Sequence, residues 1–442
     1  MGHKVNISYC CIMVVIHLMM FSSQVLGDDG EKKVPKQFVP ILSYRVGTFS
    51  AAGSGLASGM IDFMQLRNLQ GGVNGIMYEW EEYETGYNVE RAVDYYEQFK
   101  SKKPAYVHPF STGVAYALIE KATRDRIPVL SVGYGRTDCS DGRVFPYFFN
   151  IPTNYWSQST GKIKFIAGKM GGMEKLKGLK IANLHLDLAF GKETETILDD
   201  MSRTYGFVVK HYSVAWPGID QKAQWDDITT RFKADWVINR NFGISCTVPL
   251  KEAARHGFPI DRIIGFWWCG SEETVLPVES AAKGYYATNF HGVGKNFPLI
   301  RQIIDTVYGS MKGSISLTRV GTVFYNRGII WAIISEEALR TAHKKFGVQV
   351  VTGEQMQWAL EHLNITEERI DEIGAKGLLP AIKTTPADHE GGGWVRVQQW
   401  DGKEWVSVSG WISPLKDYVR KKVEASAETF AKEKKIILRS AE

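Results

Sequence analysis

The chain has 442 residues, 44% of them apolar and 23% charged, and a formal net charge of +5 at pH 7. That balance excludes an intrinsically disordered chain and leaves room for two or three domains with developed cores. It also excludes binding to nucleic acid through bulk charge. The cations are spread along the chain except in "RKKVEASAETFAKEKK" near the C-terminus, which reads as a solvated helix with no nucleic-acid motif beside it.

At the N-terminus, Lys4 precedes the apolar run "YCCIMVVIHLMMF", which is followed by polar "SSQ", by "VLG" and by the charged "DDGEKK". This order reads as a secretory signal peptide, residues 1–27, with Val25 and Gly27 as small residues at the cleavage site. The run is shorter than the roughly twenty residues that span a bilayer. The expectation is an exported, periplasmic protein that is not membrane-embedded once the signal is removed. The exported part keeps Cys139, Cys246 and Cys269 in a compartment that permits disulfides. Cys246 and Cys269 fall near one edge of an expected parallel sheet, and whether they pair depends on geometry.

Along the chain, "YRVGTF" reads as the first strand and Leu56–Gln70 as the helix after it. The intervening "TFSAAGSGLASGM" carries Gly53, Gly55 and Gly59, with Glu79 and Glu81 about twenty residues on. This comes close to the dinucleotide fingerprint G-x-G-x-x-G, but the third glycine is one place late for it. The series continues with "IMYEWEEY", a helix Asn88–Lys102, "PAYVHPF", a helix Gly113–Arg126 and "IPVLSVG". A second series follows, with helices Tyr155–Met170, Lys192–Tyr205, Gln221–Lys233 and Cys246–His256 between "LKIANLHL", "FVVKHYSV", "DWVINRNF" and "RIIGFWW". Alternation of this kind predicts an α/β fold with parallel sheets covered on both faces, built twice. The segment 281–295 leaves the second series, and helices over 297–312, 322–346 and 353–363 come after it. "WDGKEW" predicts an edge hairpin with Asp-Gly at its turn, and Pro414–Lys435 a final docked helix.

Nothing in the sequence points to catalysis. There is no nucleophile-elbow pattern and no H-E-x-x-H, and the ten histidines lack metal-ligand spacing. From the residues alone no cofactor is expected, and an exported dehydrogenase is the enzyme alternative.

Taken in order, "SAAGSGLASGM", "GGVNGIMYEWEEYETGYNVERAV", "PAYVHPFSTGVAYAL", "IPVLSVGYG", "AFGKE" and "ADWVINRNF" resemble the periplasmic solute-binding proteins of ABC transporters, in the type I branch for branched-chain amino acids and amides. The resemblance implies two doubly wound lobes joined by hinge strands, with residues 40–153 and 290–382 in the N-terminal lobe and 154–289 and 383–442 in the C-terminal lobe. A ligand would sit in the cleft, at the carboxyl ends of the strands. It implies a monomer that hands a small solute to a membrane permease. The same fold also serves ligand-sensing receptor subunits.

On this resemblance the glycine loop, with Ser54, becomes a strand-to-helix turn whose backbone N–H groups face the cleft. Phe110, Ser111 and Thr112 stand where the family places a hydrogen-bonding hydroxyl, a place where an N-cap is also expected. Gly133, Tyr134 and Gly135 match a loop that donates N–H groups to a ligand carboxylate. Arg136 either adds a bidentate partner or is a surface loop residue. In the second lobe Phe190, Asn241, Phe242, Trp267 and Trp268 fall at strand ends, with one tryptophan of the pair expected in the cleft. The acidic residue that family members use for an α-ammonium group is missing from "GFWWCG", though Glu272 and Glu273 follow it closely. Aromatic carboxylates therefore fit best, amides or short apolar acids next, and branched-chain amino acids last.

Overall fold

The computed structural model describes residues 34–440 together with Met1 and Gly2, so the expected signal peptide falls outside the described residues apart from its first two. The first half builds β1 (Lys36–Ile41), α1 (Ser50–Leu69), β2 (Met77–Glu82), α2 (Val89–Phe99), α3 (Thr112–Asp125), β3 (Val129–Leu130) and β4 (Phe148–Phe149). β1 pairs in parallel with β2, β3 with β4, and single bridges Ile41–His108 and Val107–Val129 join the two pairs through the 107–108 segment. β1 lies upstream of the expected "YRVGTF". Pro40, a residue that normally argues against a strand, is inside it, and Tyr44–Phe49 form the loop that leaves the sheet.

The second half adds α4 (Tyr155–Met170), β5 (Lys180–Leu186), α5 (Ala189–Lys192), α6 (Glu195–Tyr205), β6 (Val208–Val214), α7 (Lys222–Asp226), β7 (Trp236–Arg240), α8 (Val248–His256), β8 (Ile263–Gly265), α9 (Glu272–Val275) and β9 (Tyr286–Asn289). α4 begins at Asn154, whose side chain accepts from the Ser157 N–H, and stops at Gly171 with φ 102°. The chain then returns through α10 (Pro298–Gln302), α11 (Val323–Phe346), α12 (Gly353–Glu361), β10 (Asn364–Ile365), α13 (Glu367–Glu372) and β11 (Ile382–Lys383), before β12 (Arg396–Trp400), β13 (Trp405–Ser407) and α14 (Lys416–Lys434). The large sheet has the order β13-β12-β9-β8-β7-β5-β6, parallel from β6 to β9, with the hairpin antiparallel at its edge. The hairpin is the expected "WDGKEW" ribbon.

The largest departure from the sequence reading is α1. Gly53, Gly55 and Gly59 are inside the helix, not in a turn before it, and the Gly53 N–H is spent on the Phe49 carbonyl at 3.2 Å. These glycines therefore offer no free N–H groups to a ligand. Their function is close packing: a Cβ on Gly55 would lie 2.7 Å from the Phe324 Cβ, and one on Gly59 2.1 Å from the Tyr325 carbonyl oxygen. Gly328 answers from α11, where a Cβ would meet the Leu56 carbonyl oxygen at 2.1 Å. Backbone thus meets backbone where α1 crosses α11, and α11 is buried along most of its length.

α14 packs on both halves. Val419 and Val423 join the apolar cluster of Ile163, Ile166 and Ile197, while Ala427 and Ala431 join the larger core. Arg420 pairs with Asp141, and the Ser426 hydroxyl donates to Asp138 at 2.8 Å. The basic tail is thus a docked helix. Among the described residues no helix is long and apolar enough to cross a membrane.

Candidate ligand-binding site

An internal space of about 10 Å³ lies where loops from both halves meet. Tyr44 and Tyr87 reach it from the loops after β1 and β2, and Phe110, Ser111 and Thr112 from the start of α3. Tyr134 comes from the loop after β3 and Tyr155 from the first turn of α4. Phe190 closes it from α5, and Phe242 and Trp268 from the loops after β7 and β8. The lining is aromatic with hydroxyls between the rings, and it contains no carboxylate.

Most of these hydroxyls are already committed. Tyr134 accepts from the Phe110 N–H at 2.7 Å, which helps hold Phe110 at φ 57°, a left-handed conformation unusual for a non-glycine residue. Tyr155 Oη and Thr112 Oγ1 are 3.1 Å apart, and Trp268 Nε1 donates to the same Tyr155 oxygen at 3.3 Å. The Tyr44 hydroxyl is buried and has no partner among the described residues. A buried hydroxyl left unpaired is costly.

Of the residues singled out from sequence, Phe110, Ser111, Thr112, Tyr134, Phe190, Phe242 and Trp268 come together around this space. Gly133 and Gly135 shape the loop next to it, with φ values of 78° and 97°, and a Cβ on Gly133 would strike the Phe290 ring at 2.5 Å. Ser54 is inside α1. Asn241 donates to the Asn239 side chain at 2.9 Å, and Trp267 is buried behind the lining with its ring on Tyr155 at 5.9 Å. Arg136 faces elsewhere: it grips Asp138 through two hydrogen bonds of 2.6 and 2.8 Å and lies 4.4 Å over Phe430 of α14. Tyr44, Tyr87 and Tyr155 were not found by sequence reading. Tyr87 directly precedes the Asn88 cap of α2, so the rule that sites gather in strand-to-helix loops points to it.

Contacts across the cleft seal the space. Phe49 stacks on Phe242 at 4.2 Å, and Trp216 meets Phe49 at 5.0 Å. Glu193 accepts from the Tyr116 hydroxyl and from the Thr137 N–H at 2.7 Å, while Glu272 accepts from the Val323 N–H at 3.0 Å and Glu273 pairs with Arg319. The two acids close to "GFWWCG" are thus engaged with the first half. Cys246 and Cys269 form a disulfide, and Cys139 is a buried free thiol.

Burial raises Glu272 and Glu390 to about 7 and Glu193 to about 6, from an ordinary 4.5. Each holds its proton more tightly when folded, so its stabilisation is complete below 4.5 and is lost as pH rises through the folded value. Burial also lowers His108 to about 3 and lowers His185, His291 and His343 from 6.5. These four take up protons on unfolding, and their stabilisation is lost as pH falls below 6.5. Melting temperature followed by circular dichroism from pH 8.5 to 5 is therefore expected to peak at about 6.5; a monotonic rise toward acid would contradict the histidine contribution.

The family model described as "Periplasmic binding protein" matches residues 36–404. A crystal structure described as an ABC transporter permease from the Pseudomonas fluorescens group is 40% identical, with a TM-score of 0.87, covering 92% of this chain and 99% of that one. A branched-chain amino acid ABC transporter from Thermus thermophilus with bound valine superposes with a TM-score of 0.72 at 19% identity, covering 88% of this chain and 99% of that one. A solute-binding protein from R. palustris in complex with benzoate does so at 0.66 and 16%, covering 86% and 97%. No curated protein matches the chain. The chain belongs to the type I periplasmic binding proteins, in the leucine/isoleucine/valine-binding family whose members are the substrate-binding components of ABC transporters.

Proposed function

We propose that this protein binds a small aromatic carboxylate between its two halves and delivers it, by hinge closure, to an ABC transporter permease outside the cytoplasm. The observation that carries this reading is the aromatic lining contributed by both halves, with no lining acid and with a Tyr44 hydroxyl that has no partner among the described residues. An α-amino acid would bring an ammonium group that no carboxylate of the lining receives. At about 10 Å³ the space is about what one water needs, so a single ring enters only as the two halves part. The benzoate complex of a protein with the same fold is in keeping with this class of ligand.

Rings from both halves would sandwich the solute, so ligand shifts the equilibrium toward closure through contacts made only in that state. The test is a thermal-shift screen of residues 28–442 against benzoate and substituted benzoates, amides, and leucine and valine. A ligand at a hundredfold its dissociation constant adds about 2.7 kcal/mol to stability. A shift with the aromatic acids supports the reading. A shift with leucine or valine alone replaces it with an amino-acid carrier.

A further inference from the structure

Two arginines, Arg240 and Arg327, lie fully buried behind the lining, and neither has a salt bridge among the described residues. Arg240, at the end of β7, is held between the rings of Tyr155 and Phe266, 4.3 and 4.5 Å from its Cζ. Its Nε and Nη2 donate to the Phe190 carbonyl at 3.0 and 2.6 Å, while Nη1 has no partner. Arg327, on α11, lies 4.7 Å over Trp268. It donates from Nη2 to the Trp267 carbonyl at 2.8 Å and to the Asn289 side chain at 3.2 Å, and its Nη1 is also unpartnered. Tyr155, Phe190 and Trp268, which these guanidiniums touch, are three of the residues that line the space.

Buried charge without a counter-charge is expensive. Carboxyls act on these arginines only from a distance, Glu193 on Arg240 and Glu272 on Arg327; neither forms an ion pair with them, and both accept backbone hydrogen bonds across the cleft. Burial lowers the Arg240 pKa to about 10 and that of Arg327 to about 9. The charges nonetheless reach the site. The Tyr44 hydroxyl is raised by burial and pulled back by Arg327, and the Tyr155 hydroxyl is raised by burial and pulled back by Arg240.

From this arrangement we infer that Arg240 and Arg327 are charge-selecting positioning residues: from behind Tyr155 and Trp268 they make the cavity prefer an anionic aromatic acid over its neutral isostere. The missing counter-charge is the ligand's carboxylate. This rests on the aromatic-acid reading above and adds the source of its charge selectivity. A unit charge several ångströms away in a medium of effective dielectric near 20 is worth on the order of tenfold to a hundredfold in affinity.

The experiment is calorimetric titration of benzoate, benzamide and leucine into the wild-type protein and into Arg240→Lys, Arg240→Met, Arg327→Lys and Arg327→Met. Melting curves and circular dichroism establish that each variant is folded. The expected result is a wild-type preference for benzoate over benzamide of at least about tenfold, kept by the lysine variants and reduced severalfold or more by each methionine variant. A purely structural role would weaken both probes together and leave their ratio unmoved, which overturns the inference. If the methionine variants do not fold, the wild-type ratio decides: benzamide binding as tightly as benzoate overturns the inference and leaves an aromatic site standing. A protein that takes leucine and neither aromatic probe loses both readings.

Discussion

Replacing Tyr44 with Phe is expected to weaken binding of an aromatic carboxylate by about tenfold to a hundredfold while leaving the free protein as stable as before. The ring stays in place, because it packs edge-on against Tyr87 at 5.0 Å, Phe110 at 6.3 Å and Phe242 at 6.4 Å. Only the hydroxyl is lost, and among the described residues that hydroxyl has no partner. A hydrogen bond to a charged group contributes about 1.5–3 kcal/mol, whereas removing an unpaired buried hydroxyl relieves a desolvation cost. The two effects separate in one pair of measurements, a titration with benzoate and a melting curve without it. A variant that binds benzoate as tightly as wild type would show that the Tyr44 hydroxyl does not face the ligand. A variant that melts several degrees lower would show that it has a structural partner.

Gly59→Ala is expected to lower stability by about 2 kcal/mol or more, a drop of several degrees in Tm. On helix propensity alone the change should help, since alanine is better than glycine in a helix interior by about 1 kcal/mol. The new methyl would sit 2.1 Å from the Tyr325 carbonyl oxygen and 3.0 Å from the Ile329 nitrogen. Both are backbone atoms of a buried helix, with no flexible side chain to move aside, so steric overlap outweighs propensity. Gly168→Ala in α4 is the control: a Cβ there meets nothing within 4 Å, and the same chemical change should leave Tm level or raise it slightly. Equal effects at both positions would refute the close-packing account of α1 and α11.

Much of the scaffold was legible because periodicity and chain order are local properties. α4 falls on the expected residues, β5 and β6 lie within their apolar runs, and the Asp-Gly ribbon is the edge hairpin. The first strand, expected at "YRVGTF", runs instead over Lys36–Ile41, and that shift concealed Tyr44 by reading it as strand instead of loop. The glycine motif was misread as well. Spacing alone does not distinguish a turn that needs conformational freedom from a helix face that needs room, and only the approach of α11, some 270 residues later in the chain, makes the difference.

What the sequence by itself determined is the class of fold, the doubled α/β pattern, and the set of loops at strand ends where a ligand would be held. Seven of the residues it singled out line the internal space. What only the tertiary structure decided is which polar groups are free. Arg136, read as either a ligand partner or a surface residue, is held by Asp138, while among the described residues Tyr44 in the lining and Arg240 and Arg327 behind it are left with unpartnered atoms. Hydrogen-bond satisfaction depends on partners brought together from distant parts of the chain, so no local pattern of residues records it.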